Sequence, residues 1–185
     1  MLIPDNSNIV IFGASGDLTY RKLIPALYHL YSTKQLPDSF FILGVSRTAF
    51  TDEAYRESLS ESLLQLEGID PETLILFTKH IYYLSIDTYS EPDYAKLKVR
   101  LLELYEQYNA PHNSLFYLAT PPSLFTVIPK CLASQDLNSE AEGWKRIIVE
   151  KPIGYDLPSA IELDEQLHRY FKEPQIYRID HYLGK

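Results

Sequence analysis

Cysteine is almost missing: Cys131 stands alone, so no internal disulfide can staple the chain, and a reducing cytoplasm is the expected setting. Long apolar runs are missing too. None approaches the ~20 residues that span a bilayer, and the start, Met1-Leu2-Ile3-Pro4-Asp5, lacks a secretory leader. No membrane role is expected. Positive charge is in deficit, with 17 Lys and Arg against 25 Asp and Glu and a net charge of -8. Such a surface has no general attraction for nucleic acid or anionic lipid, so any phosphate site must be local. Glycine is scarce at seven residues, and with 45% apolar and 23% charged residues the composition excludes fibrous and disordered classes. What remains is a chain of 185 residues, read as one domain over residues 1–185 that buries roughly two-thirds of its unfolded surface. No metal is expected.

Short runs rich in Ile, Val, Phe, Tyr and Leu at 8–12, 40–46, 81–86, 115–119, 146–150 and 175–179 read as strands. Helical spacing fills the intervals. Residues 19–34 place Leu23, Leu27, Leu30 and Tyr31 on one face, and 51–67 place Leu59, Leu63, Leu64 and Leu66 near one face of an acidic segment. Residues 92–108, 122–134 and 157–171 continue the alternation, while Asn138 to Gly143 reads as a polar loop. Repeated alternation predicts an α/β fold: a doubly wound, mainly parallel sheet of Rossmann-type topology with helices on both faces.

The first strand runs into Gly13-Ala14-Ser15-Gly16-Asp17-Leu18 and then a helix. This is the context a dinucleotide pyrophosphate needs: Gly13 permits a tight turn, Gly16 permits close backbone approach, and the helix start offers amide donors. The strict G-x-G-x-x-G spacing fails at Ser15, and a nucleotide-triphosphate loop fails because Leu18 and Arg21 stand where a second Gly would be required. An ordinary strand-to-helix turn is the competing reading. The second strand ends in Ser46-Arg47-Thr48, with no acid beside Arg47. A carboxylate there favours NAD and a guanidinium favours the 2′-phosphate of NADP, so Arg47 points to NADP unless it is a solvated surface residue.

Ligands of open parallel sheets lie beyond the carboxyl ends of the strands. Asp87-Thr88, Thr120-Pro121-Pro122 and Glu150-Lys151-Pro152 occupy those positions. Lys151 can hold substrate hydroxyls or cofactor phosphate, or pair with a neighbouring carboxylate. The last segment, Arg178 to Lys185, concentrates Asp180, His181, Tyr182 and Lys185, donors suited to a phosphate or sugar if they are not simply a polar tail. Alternation sends Asp180 and His181 to opposite faces of a regular strand, so Asp180 needs another histidine as partner. His29 and His168 fall in helical stretches, and His80 and His112 precede strands, so none is placed to serve it.

Gly13 to Leu18, then Glu150-Lys151-Pro152, then Asp180-His181-Tyr182-Leu183-Gly184-Lys185 together resemble the glucose-6-phosphate dehydrogenase family, in order and approximate spacing. The resemblance covers the chain but only the family's N-terminal cofactor-binding part. It implies that a larger C-terminal α+β domain, carrying the catalytic histidine and the interface of a homo-oligomer, is absent. It further implies hydride transfer from C1 of glucose 6-phosphate to NADP, giving 6-phosphogluconolactone in the oxidative pentose phosphate pathway. On this resemblance Gly13, Ala14, Ser15, Gly16, Asp17 and Leu18 bind the pyrophosphate, Arg47 the 2′-phosphate, and Asp87 with Thr88 the adenosine side. Lys151 touches both cofactor and sugar, next to a Lys151–Pro152 bond expected cis. His181, Tyr182 and Lys185 hold the substrate phosphate, and Asp180 orients the histidine base. These 185 residues alone are then expected to be inactive; a non-catalytic dinucleotide-binding module or regulator is the alternative.

Overall fold

Every strand in the sheet is parallel to its neighbours. The computed structural model describes residues 4–179, with β1 (Asn8–Phe12), β2 (Ile42–Ser46), β3 (Ile81–Ser85), β4 (Ser114–Leu118), β5 (Lys145–Glu150) and β6 (Ile176–Ile179). They lie side by side in the order β3-β2-β1-β4-β5-β6. Val10 of β1 stands opposite Leu43 on one side and Phe116 on the other. The winding direction reverses between β1 and β4, and this switch point opens a crevice at the carboxyl edge. The expected Rossmann-type topology is therefore present.

Helices α1 (Ile24–Ser32), α2 (Asp52–Leu63), α3 (Pro71–Thr78), α4 (Tyr94–Tyr108), α5 (Val127–Ala133) and α6 (Leu157–His168) make the crossovers. Side chains alternate between faces along each strand. Val10, Phe12, Leu43, Phe116 and Ile147 pack under α4, α5 and α6 through Leu97, Leu101, Leu104, Ile128, Leu132 and Leu167. Ile11, Ile42, Ile81 and Tyr83 pack under α1, α2 and α3 through Ile24, Tyr55, Leu59 and Phe77. Burying each such side chain stabilises by about 1.5–3 kcal/mol. On the second face the cover is partial: among the described residues no helix lies over β6 there, and Tyr177 and Ile179 remain 50% and 38% exposed.

Several element boundaries differ from the sequence expectation, each for a local reason. The segment at 19–34 opens with a π turn, Thr19–Leu23, before α1. Pro25 has no N–H to offer the carbonyl four residues back, so the ladder widens ahead of it. The segment at 51–67 stops at Leu63, leaving Leu64 and Leu66 exposed as the chain turns toward Gly68, which has φ 79°. Helix α3 was not expected from spacing, yet Asp70 accepts from the Thr73 amide at 2.8 Å as a cap and Pro71 opens the first turn. Residues 122–134 divide into a 3₁₀ turn, Pro122–Leu124, and the short α5.

Candidate cofactor site

The turn after β1 is held from three sides. The Gly13 and Ala14 amides both donate to the Val45 carbonyl of β2, at 2.9 and 3.2 Å. The buried Tyr55 hydroxyl donates to the Ala14 carbonyl at 2.9 Å, and Thr19 Oγ1 donates to the Gly13 carbonyl at 3.0 Å. Burial pushes the Tyr55 phenol well above its ordinary range, so it stays a donor. Gly13 adopts φ 82°, and a Cβ on it would stand 2.1 Å from the Ala119 carbonyl oxygen at the end of β4. No side chain fits at that point. Gly44 on β2 is equally confined, since a Cβ would meet Ala14 Cβ at 2.8 Å and the Tyr55 ring at 3.0 Å.

Around this turn lies a hydroxyl cluster in which Ser15 was expected at the site from the sequence and Ser46 and Thr48 were not. Ser15 Oγ and Ser46 Oγ are 2.7 Å apart, and Thr48 Oγ1 donates to Ser15 Oγ at 3.0 Å. The Tyr83 hydroxyl donates to the Thr48 carbonyl at 2.8 Å. Hydroxyls of this kind reorient to donate to an anion. The sign of Ser46 and Thr48 in the sequence is their place on either side of Arg47. Arg47 is exposed, and among the described residues its guanidinium has no ion pair within 4.0 Å. Gly13 to Leu18 and Arg47 thus meet at the ends of β1 and β2. Asp17 is exposed and faces Arg21 at 3.5 Å, a surface pair worth little in stability.

Asp87 and Thr88 follow β3, one strand further out. Asp87 is exposed and accepts from the Tyr89 amide at 3.0 Å; Thr88 is 4% exposed, and its carbonyl accepts from the Tyr94 hydroxyl. Among the described residues no hydrogen bond or ion pair joins them to the Gly13 turn. On the other side of the switch point, Thr120 follows β4 and Lys151 follows β5. The Lys151–Pro152 bond is cis, as the family resemblance implied. The Lys151 amide donates to the Ile179 carbonyl at 3.3 Å, joining β5 to the end of β6. Beside it the Tyr117 hydroxyl donates to Glu150 Oε1, and burial first, then this carboxylate, raises the Tyr117 phenol pKa. The ends of β2 and β5 are three strand spacings apart, about 14 Å. Asp180, His181, Tyr182 and Lys185 lie outside the described residues.

His29, His80, His112 and His168 all sit toward the amino edge, because helices here run back from the carboxyl edge and His80 and His112 immediately precede β3 and β4. His80 Nδ1 lies 3.2 Å from the Phe40 carbonyl, His112 Nδ1 lies 2.8 Å from Glu142, and His168 Nε2 lies 2.8 Å from Glu173. Each is engaged away from the crevice. Among the described residues no group of three metal-ligating side chains exists.

A reversal of strand order, a turn too tight for any side chain and, at the next strand, a guanidinium with no ion pair among the described residues define a dinucleotide-binding α/β domain. The comparisons sharpen this class to a family. Residues 10–185 match the family model described as glucose-6-phosphate dehydrogenase, NAD binding domain. The chain belongs to the glucose-6-phosphate dehydrogenase family. Glucose-6-phosphate 1-dehydrogenase of Aggregatibacter actinomycetemcomitans is 56% identical over 181 residues, covering 98% of this chain and 37% of the relative. The enzyme of that name from Treponema pallidum is 43% identical, over 96% of this chain and 35% of its own length. A solved glucose-6-phosphate dehydrogenase in complex with its substrate glucose-6-phosphate superposes with a TM-score of 0.87 at 37% identity, covering all of this chain and 38% of that one. The chain thus spans a little over a third of the length of these proteins.

Proposed function

We propose that this chain binds NADP⁺ along the carboxyl edge of the sheet and serves as the cofactor domain for oxidation of glucose 6-phosphate at C1. The pyrophosphate lies against the Gly13–Leu18 turn, where amide donors and the absence of a side chain at Gly13 allow close approach. Arg47 takes the 2′-phosphate, with Ser15, Ser46 and Thr48 supplying further donors. Asp87 and Thr88 border the adenosine side. The nicotinamide, when bound, supplies the hydride acceptor.

Lys151 meets cofactor and sugar from the end of β5. His181, Tyr182 and Lys185 hold the substrate phosphate through cationic and hydroxyl donors, and Asp180 orients the histidine that removes the C1 hydroxyl proton. That histidine is proposed to come from outside residues 4–179, since the four described histidines sit toward the amino edge and His80, His112 and His168 are engaged there. The observation that carries the reading is Arg47: an exposed guanidinium with no carboxylate partner among the described residues, beside three hydroxyls, in a chain of net charge -8.

Replacing Arg47 by Ala is expected to weaken NADP⁺ binding by about 1.5–3 kcal/mol, the size of a charge-assisted hydrogen bond, and to leave NAD⁺ binding nearly unchanged. Calorimetric titration of both proteins with both nucleotides reads this directly. Equal losses for the two nucleotides would refute the phosphate role.

A further inference from the structure

Thr120 Oγ1 is a buried side-chain oxygen with no hydrogen-bond partner among the described residues. Leaving a hydroxyl buried and unpaired costs stability, so its place matters. Thr120 follows β4 directly at the switch point, the strand-end position where a doubly wound sheet receives its ligand. Its methyl carbon, Cγ2, is the side-chain atom turned toward the phosphate turn, 3.2 Å from where a Cβ of Gly13 would stand. The hydroxyl occupies a different staggered position on Cβ from this methyl, buried and with no hydrogen-bond partner among the described residues. A side chain on threonine has three staggered wells, and one step of about 120° places Oγ1 where Cγ2 now lies. That step turns the hydroxyl onto the turn that carries Gly13.

We infer that Thr120 is a cofactor-binding residue of this chain, whose hydroxyl rotates out of its unpaired position to hydrogen-bond the bound dinucleotide beside Gly13. The inference rests on the reading above that a dinucleotide occupies this crevice. It adds a residue and a trade: the free protein is destabilised by an unpaired oxygen, and the ligand relieves it. A threonine kept only for packing would behave oppositely, because its hydroxyl would be dispensable for binding.

Thr120→Val keeps shape and β-branching and removes the oxygen; Thr120→Ser keeps the oxygen and removes the methyl. Without nucleotide, the Val variant is expected to melt about 2–4 °C above wild type, the shift that relief of one unpaired hydroxyl produces in a chain of this size. Its Kd for NADP⁺ in calorimetry is expected to rise about fivefold or more, whereas the Ser variant stays within about twofold of wild type. An unchanged Kd in the Val variant, a melting temperature at or below wild type, or equal affinity losses in Val and Ser would each overturn the assignment. Failure of the wild-type chain to bind NADP⁺ would instead remove the cofactor reading, so the two are told apart.

Discussion

Gly13 shows how one residue ties backbone geometry to binding. With φ at 82° and the Ala119 oxygen 2.1 Å from any Cβ, Gly13→Ala must move β1 or β4 at the switch point. The left-handed backbone alone costs about 1–2 kcal/mol with a side chain, and the clash adds to it. The expected outcome is a lower melting temperature together with loss of measurable NADP⁺ binding. Lys145, at the other edge, is only 6% exposed, and its ammonium donates to the His112 carbonyl above the Tyr105 ring. Burial lowers its pKa to about 8, with Glu142 and Glu140 opposing the shift. A pKa depressed on folding means that the unfolded state binds more protons between about pH 8 and 10.5, so stability rises with pH across that window. Lys145→Met should therefore raise the melting temperature most near pH 7, with the gain shrinking toward pH 10; an equal gain at both would contradict the buried-charge account. His168 behaves in the opposite sense: the Asp164 carbonyl first, then the carboxylates of Asp164 and Glu173, raise its pKa. Its contribution is full below its ordinary pKa of 6.5 and is lost as pH rises through the raised value.

Among elements, β3 is one of the two edge strands of the sheet, and edges with free amides and carbonyls invite pairing with other chains. Helix α2 covers this one. Asp52 Oδ1 accepts from the Tyr83 amide at 2.7 Å, and Arg56 Nε donates to the Ile81 carbonyl at 2.6 Å. Asp52 also meets Arg100 of α4 at 2.6 Å, so one carboxylate joins both helical layers to the sheet. Asp52→Ala is expected to cost about 1.5–3 kcal/mol, the scale for hydrogen bonds to a charged group, read as a lower midpoint in urea unfolding. The strands were legible in the sequence to within two residues at either end, because fully buried parallel strands read as dense apolar runs. Helix ends were harder: the stripe through Leu64 and Leu66 mimics a continuing face, yet α2 stops at Leu63 and the chain closes a turn there, the Leu66 amide donating to the Leu63 carbonyl. The Asp70-Pro71 start of α3 was a readable cap signal overshadowed by that longer stripe. At the site, Gly13, Arg47 and Lys151 were legible as strand-end residues. The Ser15–Ser46–Thr48 cluster and the Thr120 hydroxyl depend on contacts between β1, β2 and β4, which no local pattern in the sequence encodes.

Across the molecule the two edges of the sheet do different things. The carboxyl edge carries the Gly13 turn, the Ser15, Ser46 and Thr48 hydroxyls, Arg47 and Lys151, while at the amino edge His112 and His168 meet carboxylates and His80 stacks on Phe40. The partial cover over β6 fits a domain whose relatives are nearly three times longer, since parallel sheets generally bury both faces. In the proposed function the dinucleotide runs across this edge from β2 to β5. A crystal structure of the chain with NADP⁺ tests it most directly: the account predicts the 2′-phosphate in hydrogen-bond contact with the Arg47 guanidinium, the pyrophosphate against Gly13, and the nicotinamide on the Lys151 side of β4. A nucleotide bound away from the Gly13 turn, or with its 2′-phosphate directed away from Arg47, would contradict it.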